Sequence, residues 1–393
     1  MEMKLIVLVV IVLAVIAVAQ LMRVYELNSK IRNRREEDID LRVNNLNGGL
    51  MIAFLAVFFG SLIYMLYKYG NGLLPEAASE HGQDVDWLFN INWIIVFFVF
   101  FVTNALLFIF AYKYAYHPDR KAYFFPHDNR LEMLWTVVPA AAMAVIIILG
   151  LITWNNITGK ASDDAVVVEL YAEQFSWTAR YSGDDNKLGY SDYKLVTTFS
   201  ANPNPLGVIT TSNIGWRIFE LDSTIKAMHK DIEAEALQEK VFSVAASKKM
   251  VTKVEKLERI LERVSLMQKT YTDSTDLLAA DDYTAKELFL IVDQEYQFIF
   301  RSRDVIHSAY FPHFRAQMNC VPGQRTKLKF KPIFTTQEMR EKTGNPNFNY
   351  ILMCNKICGE SHSNMYMAVT VGTAEEFKNW KEGNVNLVVA STK

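Results

Sequence analysis

Cysteine is scarce, with three in 393 residues, too few for the disulfide framework of a small secreted scaffold. Neither sign of charge is in excess. Lys and Arg number 41 against 43 Asp and Glu, a formal net charge of −2, which leaves no electrostatic footprint for nucleic acid. Internal repeats and low-complexity tracts are absent. The sequence has no C-x-x-C-H, so no c-type haem is attached to it. What it does have is apolar residues: 51% hydrophobic and 13% aromatic, which excludes intrinsic disorder. The length allows two or three domains at roughly 100–200 residues each.

A mean hydropathy of only +0.06 hides strong segregation. Uncharged apolar runs occupy Leu5–Met22, Gly49–Tyr67, Trp93–Tyr112 and Met133–Trp154. A helix rising about 1.5 Å per residue crosses the hydrocarbon core in about 20 residues, so all four are expected to span a membrane. The first follows Lys4 as a signal peptide would, but Ala19-Gln20-Leu21-Met22 has no small-x-small cleavage site, and a retained helix is expected. Loop charge sets the orientation. Residues 23–48 carry Arg23, Lys30, Arg32, Arg34, Arg35 and Arg42, and residues 113–132 carry Lys113, Arg120, Lys121 and Arg130. Residues 70–92 carry only acids: Glu76, Glu80, Asp84 and Asp86. Positive loops stay in the cytoplasm, which places everything after Trp154 outside.

From about 155 the chain reads as soluble. Val166–Tyr181, Glu287–Arg301, Thr326–Ile333 and Met365–Val371 are β-branched, aromatic and partly alternating, with a turn at Pro322-Gly323, the pattern of an all-β sandwich or barrel. Residues 222–272 break it. Met250, Val254, Leu257, Leu261 and Val264 alternate in steps of four and three, an amphipathic helix with a coiled-coil-like seam. Its expected partner is the first half of the insert folded back as a helical hairpin, using Ile225, Met228, Ile232 and Leu237, and that hairpin is also a candidate to dock another subunit or the donor cytochrome.

The chemistry concentrates in Met353-Cys354-Asn355-Lys356-Ile357-Cys358-Gly359-Glu360-Ser361-His362-Ser363-Asn364-Met365. Taken singly, the cysteines could be a buried pair or a disulfide, and Met365 could be core packing. Together, C-x3-C-x3-H-x2-M offers two thiolates, an imidazole and a thioether. Soft sulfur with imidazole suits copper, whereas zinc rarely uses Met.

This motif resembles the dinuclear copper site, CuA, of cytochrome c oxidase subunit II. Asp304-Val305-Ile306-His307-Ser308, with Pro312 and Pro322-Gly323 behind it, resembles the family's upstream histidine segment. Gln174-Phe175-Ser176-Trp177 resembles its aromatic segment, and Leu131–Pro139 the start of its second membrane helix. The resemblance covers roughly 90–200 and 285–385. Joined to the runs and periodicities above, it gives a membrane-anchored α plus all-β protein: four transmembrane helices (about 5–22, 49–67, 93–112 and 133–154) within residues 1–160, then, as the resemblance implies, a cupredoxin-like Greek-key β-sandwich over 161–393, with the helical hairpin inserted at about 222–272. It implies two copper ions held by His307, Cys354, the Lys356 carbonyl, Cys358, His362 and Met365. The thiolates would bridge both coppers, each copper would take one His, and Met365 and the Lys356 carbonyl would be weak axial ligands.

The resemblance further implies electron entry at Phe175 and Trp177, donor docking at Asp304 and a proton-channel entrance at Glu132. The implied function is the electron-entry subunit of a proton-pumping haem–copper oxidase, in the plasma membrane of a prokaryote with its copper domain periplasmic. Its partners would be the catalytic haem–copper subunit and other oxidase subunits, membrane lipid, and a cytochrome c or cytochrome-bearing complex as donor. The sequence departs from the family at three places. Lys356 stands where a Glu or Gln is usual and helps bind an interface magnesium; an ammonium has no acceptor, which counts against that metal. Phe175 replaces a common Trp. Gln317 and Asn319 replace common charges. Cys320 and His81, His117, His127, His229 and His313 have no ligand-like spacing. A quinol-oxidising relative would lack the ligands, a nitrous-oxide reductase would add a propeller, and a copper chaperone would show a thioredoxin-like pattern. Bound copper separates relay, chaperone and quinol type as two, one and none.

Overall fold

The computed structural model describes residues 2–31, 40–197, 200–237 and 242–387. Four long helices come first: α1 (Glu2–Ile31), α2 (Leu41–Tyr69), α3 (Glu80–Lys113) and α4 (Asn129–Thr158). All four are long and apolar enough to cross a membrane. Each contains its expected apolar run and continues past it, because extending an existing helix costs far less than nucleating one. Arg32, Arg34 and Arg35 of the first basic loop lie outside the described residues. α2 and α3 meet through aromatic rings, Phe59–Phe101 at 4.6 Å and Phe54–Phe108 at 5.4 Å between centroids. Gly48 gives Tyr112 its room, since a Cβ there would lie 3.0 Å from the ring.

The chain forms two compact units, Met1–Leu73 with Trp93–Val137, and Leu74–Asn92 with Val138–Lys393. Residues 74–92, between α2 and the body of α3, group with the β-rich unit.

That unit is a two-sheet β-sandwich. One sheet uses β1 (Val166–Glu173), β2 (Ser176–Tyr181), β3 (Tyr283–Ala285), β5 (Tyr296–Ser302), β8 (Thr326–Phe330) and β11 (Asn386–Leu387) in the order β11-β3-β2-β1-β5-β8. The other uses β4 (Leu288–Ile291), β6 (His307–Phe311), β7 (Ala316–Cys320), β9 (Tyr350–Cys354) and β10 (Tyr366–Gly372) in the order β4-β10-β9-β6-β7. β1 pairs with β5 in parallel, and so does β4 with β10; the remaining pairs are antiparallel. Two expected single strands are each a pair. Val166–Tyr181 turns at Gln174-Phe175, and Glu287–Arg301 turns where Asp293 takes φ +60, a conformation that Asp tolerates better than most residues. The facing sides interdigitate through Leu170, Phe298, Phe300, Phe311, Phe330, Leu352 and Val369, all buried. Phe298 stacks on Phe330 at 4.6 Å, and Phe314 on Phe330 at 4.9 Å. Such rings hold the sheets by area burial plus about 0.5–1.5 kcal/mol per aromatic pair.

The insert lies between the antiparallel neighbours β2 and β3 as the hairpin α5 (Thr211–Ala236) and α6 (Val244–Thr270), and the chain reaches β5, parallel to β1, by way of β4 in the other sheet. Side chains of Thr210 and Ser243 cap the two helices. The seam places Ile214, Ile218 and Leu221 with Leu257, Leu261, Val264 and Met267 against Leu195 and Ile209, and Ile225 is also buried. The insert is thus its own partner. It begins eleven residues before the expected 222, because Gly215 and the polar Thr211-Ser212-Asn213 start obscures a heptad that runs back to Ile214. Leu237 follows the last turn of α5 and is exposed, not part of the stripe. A one-turn helix α7 (Asp273–Asp276) ties the hairpin's base: Thr211 N–H donates to Asp276 at 2.9 Å. Two short helices, α8 (Thr336–Thr343) and α9 (Ala374–Asn384), both with capping boxes, complete the unit.

Candidate metal centre

β6 and β9 are neighbours, with Ala309 opposite Cys354. This pairing brings His307, at the start of β6, beside the loop that leaves β9. His307 Nδ1 lies 3.8 Å from Cys354 Sγ. The loop then returns on itself, so that Cys358 Sγ is 3.9 Å from Cys354 Sγ, His362 Nδ1 is 3.6 Å from Cys358 Sγ and Met365 Sδ is 3.8 Å from Cys358 Sγ. The Lys356 carbonyl oxygen is 3.2 Å from Cys354 Sγ, while its ammonium-bearing side chain is exposed. All six expected ligand groups converge. His307, Cys354, Cys358 and Met365 are buried, and His362 is half-buried.

The donor chemistry discriminates between occupants. The thiols are free, and 3.9 Å is almost twice the sulfur–sulfur bond length of about 2.05 Å. One tetrahedral zinc takes four ligands, fewer than the six groups present. Burial, followed by the adjacent Cys354, pushes the Cys358 thiol up to about 11; two neighbouring thiolates therefore need cations beside them. Soft sulfur with two imidazoles fits copper.

A surrounding shell fixes the ligands. The Asp304 carboxylate accepts from His307 Nε2 at 2.8 Å, from Gln174 N–H at 2.8 Å and from Val305 N–H at 2.7 Å. Burial raises its affinity for a proton, but those donors, Gln174 N–H first, overcome it and hold the carboxyl below its ordinary range. Asp304, expected at the donor surface, is thus an orienting partner of His307; the sequence signal was its position three residues earlier. The Gln174 side chain donates to the Cys358 carbonyl, a contact that nothing in the sequence flagged. Gly359 has φ +140, and a Cβ there would meet Gln174 Nε2 and the Phe175 ring at 2.9 Å, so only glycine lets them close over the loop.

Trp177 is buried, its ring 6.3 Å from that of His307. Phe175 is partly exposed above Gly359. Gln317 donates to Ser308 Oγ at 3.1 Å, and Asn319 is exposed. Cys320 pairs across β6–β7 with His307, fully buried, its thiol pushed up to about 12 by burial. It lies outside the His307–Cys354–Cys358 cluster. His313 packs edge-on to Phe348 and Tyr350, and His229 pairs with Glu258. Glu132 stands in the first turn of α4, 3.9 Å from His127 Nδ1.

A family model for the transmembrane domain of cytochrome c oxidase subunit II matches residues 66–153, which take in α3 and most of α4. This chain is similar to cytochrome c oxidase subunit II. It is 22% identical over 333 residues to an alternative cytochrome c oxidase subunit 2 of Bradyrhizobium diazoefficiens, covering 84% of this chain and 90% of that one. It is also 22% identical over 356 residues to cytochrome c oxidase subunit 2 of Thermostichus vulcanus, covering 90% and 89%. Among solved structures, the periplasmic domain of subunit II of cytochrome oxidase of Bradyrhizobium japonicum aligns at 16% identity and TM-score 0.26, covering 57% of this chain and 94% of that one. α1 and most of α2 precede the region that the family model matches.

Proposed function

We propose that this chain is the electron-entry subunit of a proton-pumping haem–copper oxidase. In this reading it takes electrons from a separate cytochrome c-type donor on the periplasmic side of a prokaryotic plasma membrane and delivers them to a haem of the catalytic subunit. One observation carries the reading: two free thiols 3.9 Å apart with an imidazole beside each. Two copper ions bound there would share one electron across both thiolates and exchange it with little rearrangement. The chain's own contribution is positional. Asp304 fixes the His307 ring, Gln174 and Gly359 pin the loop, and the buried Met365, Trp177 and Cys320 side chains exclude water. Low dielectric and fixed ligands are what tune a potential.

The surface supports the same reading. Outside the hairpin and its flanking loops (residues 190–277), the exposed large apolar residues described on the β-sandwich are Phe175, Val305, Ile306, Met353, Ile357 and Tyr366. All adjoin the metal loop, and Ile357 is 84% exposed. A soluble domain concentrates apolar surface where partners dock, and a relay needs close contact with donor and acceptor. Lys356 offers no acceptor for an interface magnesium. Glu132 is proposed as a proton entrance at the cytoplasmic boundary of α4.

Electron paramagnetic resonance of the copper-loaded full chain tests the assignment. A mixed-valence two-copper signal, lost in Cys354→Ser and Cys358→Ser, is expected. A single tightly held metal ion without that signal would refute it.

A further inference from the structure

We infer that residues 75–86, in the loop between α2 and the body of α3, form a closing strap of the copper-site sandwich, so that this domain is assembled from two separate stretches of chain. In the sequence the loop is marked only by its acidic charge, which places it outside. The structure shows what it contacts. Ala78 N–H donates to the His313 carbonyl at 2.7 Å, in the β6–β7 turn. On the other sheet, Glu80 N–H donates to the Lys331 carbonyl at 3.0 Å, and Ile333 N–H to the Ala78 carbonyl at 3.0 Å, just beyond β8. The strap therefore hydrogen-bonds to both sheets at one end of the sandwich. Ser79 Oγ adds a bond to the Phe314 carbonyl at 2.7 Å. Ala78 and Ser79 are 0% exposed, and Ala78 belongs to the main core with Phe314 and Phe330.

Charge complements the fit. Three of the loop's four carboxylates meet cations of the β-rich unit: Glu76 with Lys342 at 2.7 Å, Glu80 with Lys331 at 2.8 Å and Asp86 with Arg315. The first two pairs are exposed and contribute little. Arg315 is different. Its guanidinium is mostly buried, grips both oxygens of Asp86 at 2.7 and 2.9 Å, and also donates to the carbonyls of Pro312 and Pro75. A bidentate, desolvated pair is the strong kind. Because α3 starts at Glu80, its first turns are part of the domain. The copper site is tethered through this strap as well as through α4.

Amide hydrogen exchange on the full chain in detergent tests this. In a cooperative unit, peptides covering 77–82 exchange within about tenfold of those from β8, and about 1,000-fold slower than the coil at 118–126. Arg315→Met and Asp86→Asn each accelerate exchange at 77–82 by about tenfold or more, with β1, β5 and copper content unchanged. Strap amides that exchange like 118–126 in the wild-type chain overturn the inference, even if a variant fails to fold. So does strap exchange that neither substitution alters.

Discussion

The Asp304 carboxylate takes the Nε2–H of His307 at 2.8 Å, leaving Nδ1 turned toward Cys354 Sγ at 3.8 Å. The ring's tautomer and orientation are set by a residue that does not itself reach the metal loop's sulfurs. Outer partners of this kind typically govern metal affinity by about 10–100-fold. Asp304→Asn should therefore weaken copper retention against a chelator by about that factor, while donor KM measured on fully loaded protein stays unchanged. A raised KM with normal copper affinity would instead assign Asp304 the docking role implied by the resemblance.

Met365 contributes a buried thioether 3.8 Å from Cys358 Sγ. An axial thioether is a weak ligand, so Met365→Leu should retain copper. Losing a donor destabilises the oxidised centre more than the reduced one, and the potential should rise. A tenfold difference in binding between the two states corresponds to about 59 mV for one electron; redox titration of the loaded chain reads it.

Glu132 sits in the first turn of α4 with its side chain about half exposed. Glu132→Ala in the assembled oxidase should slow turnover severalfold while leaving donor-driven copper reduction at its normal rate. Stopped-flow reduction beside oxygen consumption separates the two steps, and unchanged turnover would make Glu132 a solvated helix-end charge.

The hairpin packs on itself through its own small core around Ile214, Leu221 and Val264, separate from the main one. No expected copper ligand lies within it. Replacing residues 212–270 with a short Gly/Ser bridge should leave the copper spectrum intact. Weakened association with the donor complex would assign the hairpin to docking. Normal donor-driven turnover would leave it without a role in electron entry.

Asp282 is buried beside Arg180 and accepts from Gly189 N–H at 2.9 Å. Burial, opposed mainly by Arg180, raises its carboxyl to about 6. The folded state therefore holds this proton more tightly than the unfolded chain. This group weakens the fold above pH 6, and the penalty is relieved as pH falls from about 6 toward the ordinary Asp value of about 3.9. Between pH 7 and 5 the wild-type domain should gain stability relative to Asp282→Asn. Thermal melting of both at several pH values measures the difference, and parallel curves would refute it.

The sequence by itself determined the features that depend on neighbours along the chain. Four uncharged runs specify four helices long and apolar enough to span a bilayer, because length and composition alone decide that fitness. C-x3-C-x3-H-x2-M marks a candidate soft-metal loop, because its four side chains lie within twelve residues and one turn of backbone can gather them. His307, 47 residues upstream of Cys354, was named only through a family resemblance; its arrival is a matter of β6–β9 register, which spacing does not encode. Tertiary structure alone decided that Asp304 turns inward to His307, that Gln174 closes on Cys358, that the hairpin begins at Thr211, and that an acidic loop at 75–86 joins both sheets of a domain whose strands begin at Val166. The reason is common to all four. Each depends on burial and hydrogen bonding between segments far apart in sequence, where a polar residue takes its role from the partner that the fold sets against it.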